Sequence, residues 1–222
     1  RVLNMNKEWS ELNKTMQAQI KKKDTYKMGI DTLFNLRRQL MQTLVSFKED
    51  LCREDFNAIP FINADGYHSK TIAYSIWHIF RIEDIVAHTV ITEDEQVFFT
   101  GNYQVRINSP IITTGNELVK QQIADFSKQL NLEELYSYIF EVRESTEKIL
   151  ERFSYDELKW KIPDERKGYL KSLNVVNCDE KAIWLIDYWC SKDIRGLIQM
   201  PFSRHWIMHT EACLRIKNKI HS

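Results

Sequence analysis

Two histidines near the C-terminal end of the chain, His205 and His209, have the spacing of a pair of metal ligands. They lie in the stretch Met200-Pro-Phe-Ser-Arg-His-Trp-Ile-Met-His-Thr-Glu-Ala-Cys-Leu-Arg-Ile216. On a helix, residues four positions apart share one face, with Cβ atoms roughly 5–6 Å apart. Both rings would then reach one ion, because metal–nitrogen bonds are about 2.0–2.1 Å long. The same spacing also fits two core or capping histidines, each with its own hydrogen-bond partner.

The residues around this pair favour a helix. Pro201 suits a first helical turn, and Ser203 is a candidate N-cap. The row of the two histidines continues at helical spacing in apolar residues, namely Ala212, Cys213, Ile216 and Ile220. We therefore expect both histidines on a buried face. We also expect the dipole at the helix start to keep His205 neutral.

A third histidine, His78, lies on the apolar row of another predicted helix, over residues 69–91. That row is formed by Ile72, Ser75, Ile79, Ile82, Val86 and Thr89. Glu83 and Asp84 should point away from it, and His88 should be exposed. Three buried histidines on two facing helices need a common partner, since an unpartnered buried ring nitrogen costs free energy. A divalent metal with one open coordination position is the simplest one.

Other chemistry-bearing residues have weaker patterns. Cys213 lies one turn beyond His209, so a cysteine–histidine pair is conceivable, although we favour a buried packing role. Trp184, Tyr188 and Trp189 line either a pocket or the core. The chain has no Gly-rich phosphate loop, no G-x-S-x-G and no H-E-x-x-H.

The predicted elements that must position these residues are helices. Core-facing stripes over residues 24–51, 69–91, 131–153 and from 200 onward predict a four-helix bundle. The second and third of these helices are joined by a long crossover, residues 92–115, with one short helical piece. Residues 1–23 are predicted to form a polar helical arm that ends in Lys21-Lys22-Lys23, a solvated run. Residues 24–222 form the bundle domain.

Shorter elements complete the prediction. A helix over residues 116–129 should begin with an Asn116 cap, and residues 154–177 should be mostly loop with a turn near 155–160. Another helix over residues 180–195 should end at Gly196 as a C′ residue. Asp24 is the expected N-cap of the first bundle helix.

Composition limits the class of protein. The 222 residues carry 31 basic and 31 acidic side chains, so the formal net charge is zero, which argues against a nucleic-acid binder. Gly and Pro are scarce, at six and four, which favours long helices. No apolar run has membrane-spanning length, and the polar start does not have the pattern of a signal peptide. Four scattered cysteines indicate no disulfide framework, so we expect a cytoplasmic protein.

Two segments together resemble the DinB-like superfamily, which includes the bacillithiol transferases and the mycothiol-dependent isomerases. They are Ser75-Ile-Trp-His-Ile-Phe-Arg-Ile-Glu-Asp84 and Gln199-Met-Pro-Phe-Ser-Arg-His-Trp-Ile-Met-His-Thr-Glu211. The family pattern has one histidine in the second helix and H-x-x-x-H in the last, on a four-helix bundle with a long connection between helices two and three. His78, His205 and His209 match it, and the likeness covers roughly residues 24–219. The N-terminal arm and the helix before Gly196 depart from the pattern.

The resemblance implies a divalent metal, zinc or nickel, held by His78, His205 and His209, and transfer of a low-molecular-weight thiol to an electrophile. A metal at the open position takes the thiol as thiolate, which is the nucleophile. The expected partners are thus a small thiol and an electrophilic substrate, with a homodimer left open. Two alternatives use the same bundle: a non-catalytic metal-binding or stress-response protein, and a metal-assisted hydrolase.

Overall fold

The computed structural model describes residues 2–222, with side chains from residue 6 onward. Within this range all regular secondary structure is helical, and the single extended contact is an isolated bridge between Lys161 and Asp193. The predicted all-α class is confirmed. The DinB-like arrangement in particular stays a prediction. None of the described helices has the length and apolarity needed to cross a bilayer.

The helices differ widely in length. In chain order the α-helices are α1 (Val2–Gln19), α2 (Tyr26–Asp50), α3 (Arg53–Asn57), α4 (Ile72–Asp84), α5 (Val97–Thr100), α6 (Tyr103–Ile107), α7 (Gln121–Gln129), α8 (Leu132–Glu151), α9 (Arg166–Leu173), α10 (Glu180–Cys190), α11 (Ile194–Gln199) and α12 (His205–Ile220). Short 3-10 turns lie at Gly66–His68 and Glu157–Lys159. Two π-helical segments, Ile85–Thr92 and Met200–Arg204, continue α4 and lead into α12.

Four of the long helices pack in a ring. α4 contacts α8 and α12, and α2 contacts the same two helices. Each supplies a buried stripe at spacings of three and four, as expected for amphipathic helices. α4 differs, because all of its residues are buried. It is the most enclosed element of the ring, and it carries His78.

The N-terminal helix α1 packs along α2. Its apolar side chains Trp9 and Met16, and that of Ile20 directly after it, are almost completely buried. Close approach is possible because residue 29 is a glycine: a Cβ there would lie 2.5 Å from Cγ2 of Ile20. The lysine run 21–23 is exposed, as expected. The division into an arm and a bundle domain stays a prediction.

The predicted crossover, residues 92–115, contains two short helices, α5 and α6, rather than one. Asp84 holds it at one point, because its carboxylate accepts hydrogen bonds from the backbone N–H groups of Val97 and Phe98, at 2.9 and 2.8 Å. Arg81 holds it at another by donating to the carbonyl oxygen of Ile112 at 2.6 Å. The expectation that Glu83 and Asp84 point away from the core is wrong, since both are fully buried. Their charges are satisfied inside the protein.

Several predicted boundaries are also wrong. α7 begins at Gln121, after Lys120 with a positive φ of 50°, so Asn116 is not its cap. Asp24 is not the cap of α2, which begins after Thr25. α10 ends at Cys190, and Gly196 lies inside α11, where its N–H donates to the Asp193 carboxylate at 2.7 Å. Helix α9 forms within the segment predicted as mostly loop.

Candidate metal centre

His78 is fixed on α4 by bonds at both the helix start and the ring. The hydroxyl of Thr71 accepts a hydrogen bond from the N–H of Tyr74 at 3.0 Å and so caps the helix. Nδ1 of His78 lies 2.7 Å from the carbonyl oxygen of Thr114 in the crossover. A carbonyl only accepts, so the proton belongs on Nδ1 and the lone pair is on Nε2. This is the tautomer that a metal-binding histidine needs.

The other two histidines begin α12. Their ring centroids are 4.5 Å apart, and both side chains are buried. Ser203 is not the predicted N-cap, because its hydroxyl donates to the carbonyl of Ile198 at 2.8 Å inside a π-helical turn. The backbone is already helical at Arg204. His205 therefore does not face the free N–H groups of a helix start, and the expected dipole effect does not apply.

The structure brings all three predicted ligands together. The ring centroid of His78 lies 4.9 Å from that of His205 and 4.8 Å from that of His209. One nitrogen from each ring falls within 4.8 Å of the others. Ligands of a tetrahedral ion at about 2.0–2.1 Å lie roughly 3.4 Å apart, so the nitrogens would have to move closer together to bind one ion. We call these three residues the histidine cluster.

Burial keeps the histidine cluster uncharged. It lowers the pKa of His78 to about 4, against which the hydrogen bond to Thr114 acts only partly. It also holds the pKa values of His205 and His209 well below the ordinary value, and the neighbouring histidine rings lower them further. All three rings are neutral at pH 7. They present lone pairs rather than competing charges to a cation.

The donor set fits a divalent transition metal. Nδ1 of His205 and Nδ1 of His209 are buried and have no hydrogen-bond partner among the described residues. Buried polar atoms are normally partnered, so two such nitrogens in one cluster are unusual. Three neutral imidazoles suit zinc and nickel alike, and leave a position for a further ligand.

The histidine cluster forms part of the wall of a cavity of about 520 Å³. Trp184, Tyr188 and Trp189 of α10 line the same cavity, and Trp189 is at the same time part of the hydrophobic core. Two lysines, Lys70 and Lys181, also line it. No carboxylate lies among the lining residues of the described chain. The volume suits a small organic ligand, for which pockets of about 300–1,000 Å³ are usual.

A buried ion pair behind the histidine cluster was not predicted from the sequence. Arg37 of α2 donates two hydrogen bonds to the Glu83 carboxylate, at 2.9 and 2.6 Å. The indole N–H of Trp206 donates to the same carboxylate at 2.6 Å. Burial lowers the pKa of Arg37, but Glu83 and Glu147 outweigh it, and the pKa lies above its ordinary value. Trp206 directly follows His205, so its hydrogen bond to Glu83 helps to position the start of α12.

A signal for this pair was present in the sequence. Arg37 lies four residues after Leu33 and three before Leu40, on the buried stripe of α2. Glu83 follows Ile79 by four residues, so it lies next to the apolar row of α4 and not opposite to it. A charged residue on an apolar stripe indicates a buried partner of opposite charge on a facing helix.

His88 is buried, which corrects its predicted exposure. Its Nδ1 lies 2.6 Å from the Asp94 carboxylate, and its Nε2 lies 2.8 Å from the hydroxyl of Ser145 on α8. The segment that carries it is π-helical, and the wider turn changes which residues face α8. Both ring nitrogens are satisfied, and His88 is not part of the histidine cluster.

Cys213 has the packing environment that we favoured for it. The side chain is fully buried, and burial raises the pKa of its thiol to about 12. A thiol in that state is a poor nucleophile at neutral pH.

Comparison of the sequence with protein-family models gave no match, and comparison with curated proteins gave none either. The resemblance to the DinB-like superfamily therefore depends on the two motifs, and the family stays a prediction.

Proposed function

We propose that this chain is a DinB-like metalloprotein that holds zinc or nickel on His78, His205 and His209, and that transfers a small thiol to an electrophile. The observation that carries the proposal is the position of the histidine cluster. Three neutral, buried imidazoles converge on the wall of a cavity large enough for a small organic molecule. A site with ligands but without an adjoining cavity would favour a structural metal instead.

Three features of the site and its cavity support this chemistry. The Thr114 carbonyl fixes the orientation of the His78 ring. The aromatic wall formed by Trp184, Tyr188 and Trp189 supplies an apolar surface for an electrophile. The described lining contains no carboxylate to serve as a general base for a thiol. A divalent ion, when bound, supplies that activation by lowering the pKa of the thiol.

The proposed reaction needs no oxidant. A sulfur–carbon bond forms between the thiol and the electrophile, the leaving group departs with its electron pair, and the thiol proton passes to solvent. The nucleophilic sulfur belongs to the cosubstrate and not to the chain, because the thiol of Cys213 is buried and protonated.

The test combines two variants with a chelator. Untagged protein is loaded with zinc or nickel, and consumption of 1-chloro-2,4-dinitrobenzene is followed with and without a panel of small thiols. We expect turnover above the spontaneous rate that needs both metal and thiol. His209→Ala should lose stoichiometric metal in elemental analysis and lose turnover, because two imidazoles are too few for a tight site. Cys213→Ser should keep both.

The opposite pattern would contradict the proposal. If Cys213→Ser abolished turnover while chelators left it unchanged, the chain would supply the nucleophile. Full metal content in His209→Ala would remove the histidine cluster as the site. Stoichiometric metal without turnover by any thiol would instead favour the non-catalytic metal-binding role.

A further inference from the structure

Lys70 is an uncompensated positive charge in the cavity wall. Its side chain is half-buried, and no carboxylate pairs with it within the part of the chain that the structure describes. Burial lowers the pKa of its ammonium group. The other lysine of the cavity, Lys181, already has a partner, the Asp179 carboxylate at 3.5 Å. Lys70 therefore offers a ligand in the cavity an ammonium group that no carboxylate of the described residues pairs with.

Tyr74 connects this charge with the histidine cluster. The ammonium nitrogen of Lys70 lies 5.2 Å from the centre of the Tyr74 ring. The His78 ring stacks on that same ring, with centroids 5.4 Å apart and planes inclined by 13°. The Tyr74 hydroxyl donates to the carbonyl oxygen of Gly115 at 2.9 Å, which fixes the ring. Lys70 and the histidine cluster also line the same cavity, so one small molecule bound there can contact both.

The rest of the lining is mostly apolar. Trp184 contributes a large surface that is 50% exposed, although it lies beside other aromatic side chains. Leu118 and Met208 also line the cavity. An exposed indole next to a cavity is an unsatisfied apolar surface that a ligand can cover.

We infer that the ligand of this cavity is an organic anion with an apolar body, whose anionic group pairs with Lys70 while the body lies against Trp184. The inference rests on the proposed function, because it assigns a substrate class to the same cavity. A divalent ion held by the three neutral imidazoles would add positive charge, and no carboxylate is among the described residues that line the cavity. A neutral or cationic ligand would leave this field uncompensated.

Two fluorescent probes of similar shape test the inference. 8-Anilinonaphthalene-1-sulfonate is anionic, whereas N-phenyl-1-naphthylamine has no sulfonate. Titrations use wild type, Lys70→Met, Lys70→Arg and Lys14→Met. Lys14 is an exposed lysine of α1 that does not line the cavity. We expect Lys70→Met to weaken the anionic probe roughly tenfold, since hydrogen bonds to charged groups are stronger than neutral ones. Binding of the neutral probe should change less than about twofold, the range of a neutral surface substitution.

The other variants sharpen the result. Lys70→Arg should keep most of the affinity for the anionic probe, and Lys14→Met should change neither affinity. Trp184→Leu should weaken both probes, whereas Trp160→Leu, at an exposed tryptophan outside the cavity, should not. Equal weakening of both probes in Lys70→Met, or no change in either, would overturn the inference.

Neither probe contains a thiol, so probe binding does not depend on thiol transfer and tests this inference separately from the proposed function. The titrations are repeated with metal and with a chelator. A Lys70-dependent preference for the anion together with failed thiol transfer would overturn the proposed function alone. Thiol transfer without that preference would overturn this inference alone.

Discussion

Replacing Glu83 with Gln should cost this protein a large part of its stability. The substitution keeps the side-chain volume but removes the charge that Arg37 pairs with. One oxygen of Glu83 accepts from Arg37 at 2.6 Å, and the other accepts from Arg37 and from Trp206 at 2.9 and 2.6 Å. The NH₂ group of a glutamine would face an N–H group of Arg37 or Trp206, and two donors cannot form a hydrogen bond with each other. The guanidinium group would stay buried with less compensation.

The size of the stability loss depends on the hydrogen bonds that Arg37 retains in Glu83→Gln. Breaking a buried ion pair by removing one partner costs about 3–5 kcal/mol. Arg37 keeps a bond to Glu147 at 3.2 Å and one to the Phe202 carbonyl at 3.0 Å, so we expect the lower end, about 3 kcal/mol. Domains are stable by about 5–15 kcal/mol, so the loss is a substantial fraction.

Urea unfolding in the presence of a chelator measures this loss without a contribution from metal. The matched control is Glu133→Gln, whose partner Lys48 lies 3.0 Å away in an exposed pair. That control should lose less than about 1 kcal/mol. With metal restored, Glu83→Gln should also bind it about tenfold more weakly, because Trp206 adjoins His205.

Equal losses in the two variants would refute the reasoning, because burial would then not distinguish the pairs. The double variant Arg37→Met/Glu83→Leu gives a second check. It replaces both charges by apolar groups, so it should be more stable than Glu83→Gln. A double variant less stable than the single one would also contradict the argument.

Two further predictions concern the crossover turn and pH. Gly115→Ala should destabilise the protein by roughly 1–3 kcal/mol in urea unfolding, because residue 115 has a φ of +79° and an added Cβ would lie 2.9 Å from the Tyr74 ring. Gly168→Ala, with open space around it in a helix, should stabilise by up to about 1 kcal/mol, and a loss there as large as that at Gly115 would contradict the account. In the folded chain the pKa of each residue in the histidine cluster lies below 6.5. As pH falls below 6.5 these histidines take up protons more readily in the unfolded chain, so metal-free protein should lose stability, by up to about 1.4 kcal/mol per pH unit for each histidine. His78→Gln should flatten that slope in urea midpoints measured between pH 7.5 and 5.5, and an unchanged slope would show that other groups cause it.

The sequence by itself determined the helical class and the approximate positions of the main helices. The α8 stripe was predicted correctly because spacings of three and four leave one buried face, and because Asn131 caps the helix by accepting from the N–H of Glu134. The three residues of the histidine cluster were also found from the sequence. Each lies on an apolar stripe, where a polar ring needs a partner.

Some helix ends and helical turns did not follow from the spacing of apolar residues. Gly196 has the residue type of a helix end, yet the Asp193 carboxylate makes it the first turn of α11. His88 lies off the centre of its predicted stripe, yet the π-helical turn places it against Ser145. The Asp193 cap is a local contact three residues away that the sequence analysis missed, whereas Ser145 is 57 residues from His88 and meets it only through a change of helical pitch.

The tertiary structure alone decided how the candidate site is assembled. The carbonyl that orients His78 comes from Thr114, 36 residues further along the chain. The carboxylate that anchors Trp206 comes from Glu83, 123 residues away. Helical periodicity reports which face of a helix is buried, but it contains no information on which other face it meets. For this reason the three histidines of the candidate site were predictable from the sequence, whereas their supporting bonds, the cavity and the position of Lys70 were not.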